Sequence, residues 1–148
     1  MNEKVEIAMV AFLNTMGGII YIGITDESQV IGVNQIDENL RSIADIITDK
    51  INPSASEFIR AYAKEVNHKQ VIVIDVKKST YAIHYLDAKE LSPKGAYLRI
   101  GTSNRSMTKD EIYQRFLKDL NYREPQMTMI ESRHRTLTFE VIQIKDFI

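Results

Sequence analysis

The residues from Arg99 to Thr108 hold the groups best suited to gripping an oxyanion. A strand-like run, Ala96-Tyr97-Leu98-Arg99-Ile100, delivers one guanidinium and then Gly101. Thr102, Ser103 and Asn104 follow with small hydroxyl and amide side chains, Arg105 adds a second guanidinium, and Thr108 opens a helix. A helix start points free N–H groups and a partial positive charge outward, which favours phosphate. Arginine supplies a planar fork that matches phosphate oxygens. Lys77 and Lys78, at the end of another strand, are candidates to join. The expected contact set is therefore Arg99, Gly101, Thr102, Ser103, Asn104 and Arg105 with Lys77 and Lys78. The competing reading is that both arginines pair with nearby acids and the segment is only a connector.

Other chemistry is thinner. Asp26 and Glu27 lie where the strand from Ile19 ends and are weak metal candidates. A metal-dependent nuclease needs two or more carboxylates converging on divalent ions; local sequence offers this pair alone, which equally suits a polar turn. His68, His84 and His134 fall in three separate segments, and no serine sits in a G-x-S-x-G setting. His84 with Asp87 is a spacing too common to name a metal site. Gly17-Gly18 precedes a strand, whereas phosphate-loop glycines follow a strand and open a helix. Cysteine is absent, which removes disulfides, thiolate zinc sites and cysteine nucleophiles. No cofactor and no catalysis are expected.

These groups need elements to hold them. Residues 3–14 read as a helix with a wide apolar face (Val5, Ala8, Met9, Phe12, Leu13), stopped by Asn14-Thr15-Met16-Gly17-Gly18. Ile19–Ile24 reads as a strand covered on both faces, turning through Thr25–Gln29 into Val30–Val33 as a hairpin. Asp37 is the expected N-cap of a helix with Leu40, Ile43, Ala44, Ile47 and Ile51 on its stripe, ending at Asn52-Pro53. Residues 57–66 and 71–76 form a second expected hairpin around Asn67-His68-Lys69, and His84-Tyr85-Leu86 a short strand. After strand 96–100 comes a polar loop, residues 101–106. Thr108-Lys109-Asp110-Glu111 is a capping box for a helix burying Ile112, Phe116, Leu117 and Leu120. Residues 122–136 are a charged connector. The apolar tail from Leu137 reads as a strand or a helix start, and needs cover from its own body, a second copy or another domain. The pattern is α+β: a mixed β-sheet built from hairpins with about three helices packed on it. It divides as a domain over 1–121 and a connector with apolar arm over 122–148.

The 148 residues fit one domain with an arm, and 44% hydrophobic against 26% charged is an ordinary globular balance. Net charge is -1, less basic than a general polyanion binder. The total hides an asymmetry: residues 1–93 sum to -4 and residues 94–148 to +3. The last third is thus where a local, salt-sensitive contact belongs, unless mixed charges simply solvate the surface. No apolar run approaches the roughly 18 residues of a membrane span, and the N-terminus lacks a secretion pattern. A cytoplasmic location without membrane contact is the expectation.

Two segments carry a family resemblance. Asn14 to Asp26, N-T-M-G-G-I-I-Y-I-G-I-T-D, with Val30 to Val33, is similar to an "FxNTxGGxxxIGVxDxGxxxGV" signature. Tyr97 to Ile112, Y-L-R-I-G-T-S-N-R-S-M-T-K-D-E-I, is similar to "YxRxGSSxRxAxxEEI". Both signatures belong to the Schlafen AlbA-type domain, formerly grouped with divergent AAA proteins. The resemblance runs from about Glu6 to Leu120 and implies an α+β, nucleic-acid-binding domain, with DNA as partner, in bacterial and archaeal transcription regulators. Some relatives, the vertebrate Schlafens, cleave RNA with three carboxylates. Asp26, or its neighbour Glu27, matches the third; the strand carrying the two glutamates would precede Met1, so the resemblance leads us to expect this chain without it. Ile83 stands where the family usually has proline, and Ser106-Met107 where it has Pro-Ala. Thr136 to Ile142 resembles a segment leading into further C-terminal regions, so the chain is expected to be part of a longer protein. Two other readings stand beside DNA binding: a metal-dependent endoribonuclease-like domain, and an oligomerisation module, for instance a homodimer through the arm.

Overall fold

A computed structural model of the chain describes residues 3–80, 82–121 and 139–142, with residues 120, 121 and 139–142 as backbone. Helix α1 (Glu3–Leu13) leads into strand β1 (Gly18–Ile22), and α2 (Ile36–Asp45) runs through a π-helical turn (Ile46–Lys50) into β2 (Ile51–Asn52). Strands β3 (Ile59–Val66) and β4 (Lys69–Val76) follow, then β5 (Tyr85–Leu86), a 3-10 turn at Asp87–Lys89, β6 (Tyr97–Ile100), β7 (Ser103–Ser106), α3 (Lys109–Asn121) and β8 (Phe139–Ile142). The main sheet has the order β3-β4-β1-β8. It is mixed, since β8 runs parallel to β1 while the other pairs are antiparallel. With α1 and α2 packed on this sheet and α3 beside the β6–β7 ribbon, the fold is α+β, as the sequence indicates.

The core explains the breadth of the α1 apolar face. One side of the sheet presents Ile20 and Ile22 from β1, Ile72, Ile74 and Val76 from β4, and Ile59 from β3. Val5, Met9, Phe12 and Leu13 of α1, Ile43 of α2 and Ile46 of the π turn pack in the same cluster. Helix α1 also lies against β6 and β7, so it is covered from two sides. A helix enclosed this way must be apolar almost all round, and Ala8 through Leu13 are each at most 1% exposed. Each such large side chain contributes roughly 1.5–3 kcal/mol on burial. A smaller cluster, Ile83, Ala96 and Met107 with Leu98 and Ile112, sits where the β6–β7 ribbon meets α3.

Several expectations hold in detail. The 59–76 hairpin forms, with Asn67 (φ 52) and His68 (φ 64) as its two left-handed turn residues, the type I′ arrangement. The tail from residue 139 enters a strand, paired with β1 of its own chain. The Thr108–Glu111 capping box closes with both bonds, Glu111 N–H to Thr108 Oγ1 at 3.1 Å and Thr108 N–H to Glu111 Oε1 at 3.0 Å.

Five expectations need correction. The 19–33 hairpin is reduced to a single bridge, Ile24 to Val30. Gly23 (φ 103) and Gly32 (φ 80) turn the chain aside, and the Val33 N–H donates to the Gln70 carbonyl instead. Helix α2 starts at Ile36 after Gln35 in the left-handed region, which leaves Asp37 in the first turn and not at the cap. Ile46 and Ile47 in the π turn are buried beside Ile43, whereas Ala44 of the expected stripe is exposed. Residues 103–106 are a strand and not a loop: a polar segment pairs because β6 offers it an edge. Phe116, expected in the buried stripe of α3, is 51% exposed.

Candidate functional site

The β6–β7 ribbon is a tight antiparallel hairpin with Gly101 and Thr102 as its two-residue turn. Gly101 has φ +60, and a Cβ built there would meet nothing within 4 Å. Gly101, Thr102 and Ser103 are exposed and Asn104 is half-buried. The ribbon tip therefore presents backbone amides and small hydroxyls to solvent.

Register sends its two arginines in opposite directions. Arg99 stands opposite Asn104, and Leu98 opposite Arg105. Opposed residues share a face and neighbours along a strand alternate. Arg99 and Arg105 thus project from opposite faces of the ribbon and do not converge on one ligand.

Arg99 faces inward and is only 7% exposed. Its Cζ lies 5.3 Å from the centroid of the Phe12 ring on α1, and its Nη1 donates to Asn104 Oδ1 at 3.0 Å. Its backbone N–H donates to Thr15 Oγ1 at 2.9 Å, while that hydroxyl donates to the Ala11 carbonyl at 2.8 Å. Arg99 is consequently an internal prop fastening the ribbon to α1, and no part of an outer phosphate surface.

Arg105 faces α3 and solvent. Its Nη1 and Nη2 donate to Glu111 Oε1 and Oε2 at 3.0 and 2.8 Å, a fork on a fork, and Nη1 also reaches the Ser106 carbonyl at 3.2 Å. The guanidinium first, then the Thr108 amide, hold the Glu111 carboxyl down to about 2. Glu111 therefore already places an anion at the α3 N-terminus, where the sequence suggests a phosphate. Guanidinium carries five N–H donors. The end-on pair is used by Glu111, which leaves the Nε–Nη2 edge as a second two-donor fork turned away from it.

The lysines lie elsewhere. Lys77 lines a groove with Arg60 and Asp75, beside Ser56 and Glu57, along the end of β3 and β4. The Lys78 backbone N would lie 3.0 Å from a Cβ on Gly17. Lys77 is exposed and Lys78 half-buried.

The segment Asn14 to Gly18 proves to be a structural clamp. Asn14 is 1% exposed. Its Nδ2 donates to the carbonyls of His84 (2.9 Å) and Tyr97 (3.0 Å), and its Oδ1 accepts the His84 N–H (2.8 Å). Arg115 of α3 donates to the Asn14 carbonyl at 2.6 Å. By sequence alone these residues read as a helix stop. The available signal was an amide and a hydroxyl side by side after an apolar helix, with no solvent-facing pattern of their own.

His84 is also buried. Its Nδ1 lies 2.8 Å from the Pro53 carbonyl and so carries the proton; Nε2, 2.8 Å from Ser79 Oγ, accepts from that hydroxyl. Burial pushes its pKa below the usual imidazole value. Enclosure of both side chains, 0% and 8% exposed, closes the pair to a substrate and makes it an internal strut. Asp26 and Glu27 stand exposed in a turn closed by Thr25 and Gln29. Among the described residues no three His, Asp or Glu side chains gather as a metal site, and no helix is long and apolar enough to cross a membrane.

A family model described as "Schlafen, AlbA_2" matches residues 1–108. No curated protein matches. Among solved structures, the DIP2311 protein of Corynebacterium diphtheriae is similar, with TM-score 0.53 and 24% identity over 75% of this chain. The match covers 18% of that protein, so this chain spans less than a fifth of its length. The N-terminal domain of a RecG-related protein of Nitrosomonas europaea, named for an ATP-dependent DNA helicase, gives TM-score 0.51 and 25% identity. That match covers 73% of this chain and 77% of the domain.

Proposed function

This chain belongs to the Schlafen, AlbA_2 family, and from that premise we propose that it is a nucleic-acid-binding module, with DNA as its polymer, in a transcription regulator. The family match over residues 1–108 carries the reading, because it includes the whole β6–β7 ribbon and the cap of α3. The name of the Nitrosomonas neighbour, a DNA helicase relative, points the same way. The ribbon tip, Gly101 to Asn104, and the open edge of Arg105 meet phosphates; Lys77 and Lys78 add contacts from the sheet side. Arg99 holds the ribbon from beneath. Glu111 pre-aligns the Arg105 guanidinium, so little side-chain freedom is lost when a phosphate arrives. Contacts of this kind fix position along a polynucleotide and read no bases.

Binding of labelled duplexes of unrelated sequence, measured by anisotropy across a salt series, tests the site. Arg105→Ala weakens binding to all sequences about equally and lowers the salt slope by roughly 1. Arg105→Lys keeps the slope yet loses affinity, since an ammonium cannot hold Glu111 and a phosphate through two forks. Unchanged affinity and slope in a folded Arg105→Ala chain would remove the site.

A further inference from the structure

The far side of the main sheet carries a pattern the ribbon does not share. Along β3, Ile59 packs in the core and Ala61 against it, and the alternate residues Arg60, Tyr62 and Lys64 fall on the opposite face. Arg60 and Lys64 are exposed and Tyr62 is half-buried. The Arg60 Cζ lies 4.8 Å from the Tyr62 ring centroid, so cation and ring are stacked and held together. Tyr62 stands opposite Val73 on β4, and Val73 opposite Tyr21 on β1, which sets two phenol-bearing residues either side of a valine across the sheet. Lys77 lines the groove beside Arg60. Asp75, cross-strand from Arg60, and Glu57 also line that groove and make the Tyr62–Lys64 end the more cationic one.

We infer that this row is a second polynucleotide contact, specific for single strands, and it rests on the nucleic-acid reading above. The observation that selects a single strand is the stacked planar pair flanked by cations. Unpaired bases expose π-faces that stack on tyrosine and on arginine planes, while lysines meet the backbone. A duplex hides those faces and gives the row phosphates alone. An acidic peptide would use the cations and leave the ring without a role. In this arrangement Arg60 and Tyr62 take successive bases and Lys64 takes the phosphate beyond them.

The test uses the full chain with a fluorescein-labelled oligo-dT and a duplex of equal length. Tyr62→Leu keeps an apolar, strand-compatible residue but removes the ring. It weakens oligo-dT binding about tenfold, with duplex binding changed less than twofold. Arg60→Gln weakens oligo-dT binding in the same direction, and Tyr62→Phe retains near-native affinity. Arg105→Ala lowers binding to both polymers. Oligo-dT affinity unchanged in both Tyr62→Leu and Arg60→Gln overturns the inference and leaves the cations as guards of an edge strand. Duplex binding without oligo-dT binding by the native chain overturns it too, with the proposed function intact. No binding to either polymer removes the proposed function and this inference together. Should Tyr62→Leu lose its circular dichroism signature, the exposed Arg60→Gln decides.

Discussion

Replacing Asn14 by alanine should be among the most damaging single changes in the chain. The side chain is 1% exposed and satisfies three backbone groups of two distant segments: the His84 N–H, the His84 carbonyl and the Tyr97 carbonyl. The two His84 contacts are buried and the Tyr97 contact is half-buried. A buried polar group left without a partner costs roughly 1–3 kcal/mol. Three such losses, eased where water reaches Tyr97, sum to about 3–5 kcal/mol, a large part of the ~5–15 kcal/mol that holds a domain together. Urea unfolding followed by far-UV circular dichroism measures it. With a slope of about 2 kcal/mol per molar, the midpoint falls by roughly 1.5–2.5 M. Asn14→Asp separates hydrogen bonding from volume. It keeps the size and one acceptor for the His84 N–H, loses both donors and buries a charge, so at pH 7 it costs at least as much. A loss below about 1 kcal/mol for Asn14→Ala, the ordinary cost of an average substitution, would refute the clamp. A harmless Asn14→Asp would refute its donor role.

Two further outcomes follow from geometry and charge. A Cβ on Gly17, at φ +75, would lie 2.6 Å from the Val76 carbonyl oxygen, whereas one on Gly101, at φ +60, meets nothing within 4 Å. Gly17→Ala should therefore cost well over the roughly 1–2 kcal/mol of left-handed strain that Gly101→Ala bears alone; equal losses in thermal or urea unfolding would contradict the close approach. The Glu111 carboxyl is held at about 2 in the fold against an ordinary 4.5. A lowered carboxyl pKa adds stability that is full above about 4.5 and drains away as pH falls toward 2. Carbon-detected NMR titration of Glu111 checks this, and a midpoint at or above 4.5 would show that the Arg105 fork does not form in solution.

Much of the fold was legible because its causes are local. The Asn67-His68 turn, the Thr108–Glu111 box and the apolar faces of α1 and β4 follow from residues within a few positions of each other. The first hairpin failed at Gly23 and Gly32, whose positive φ values a pattern of valines and isoleucines does not display. The strand at 103–106 was missed because Ser103-Asn104-Arg105-Ser106 has no strand-forming side chains and depends on the edge of β6. The candidate site was legible in place and not in direction. Both arginines, the polar tip and the helix cap lie where the sequence puts them, but only Arg105 looks outward.

By itself, then, the sequence determined the kind and order of most elements, the α+β class and the stretch that carries the cations, since periodicity and turn chemistry act over a few residues. Tertiary structure alone decided that Arg99 turns under the ribbon onto Phe12 and that Arg105 is bound to Glu111. It also decided that Asn14 joins α1 to His84 and Tyr97, and that Arg60, Tyr62 and Lys64 form a row beside Val71 and Val73. Most of these join residues far apart in the chain, and for the strand residues a shift of one position would reverse the face involved.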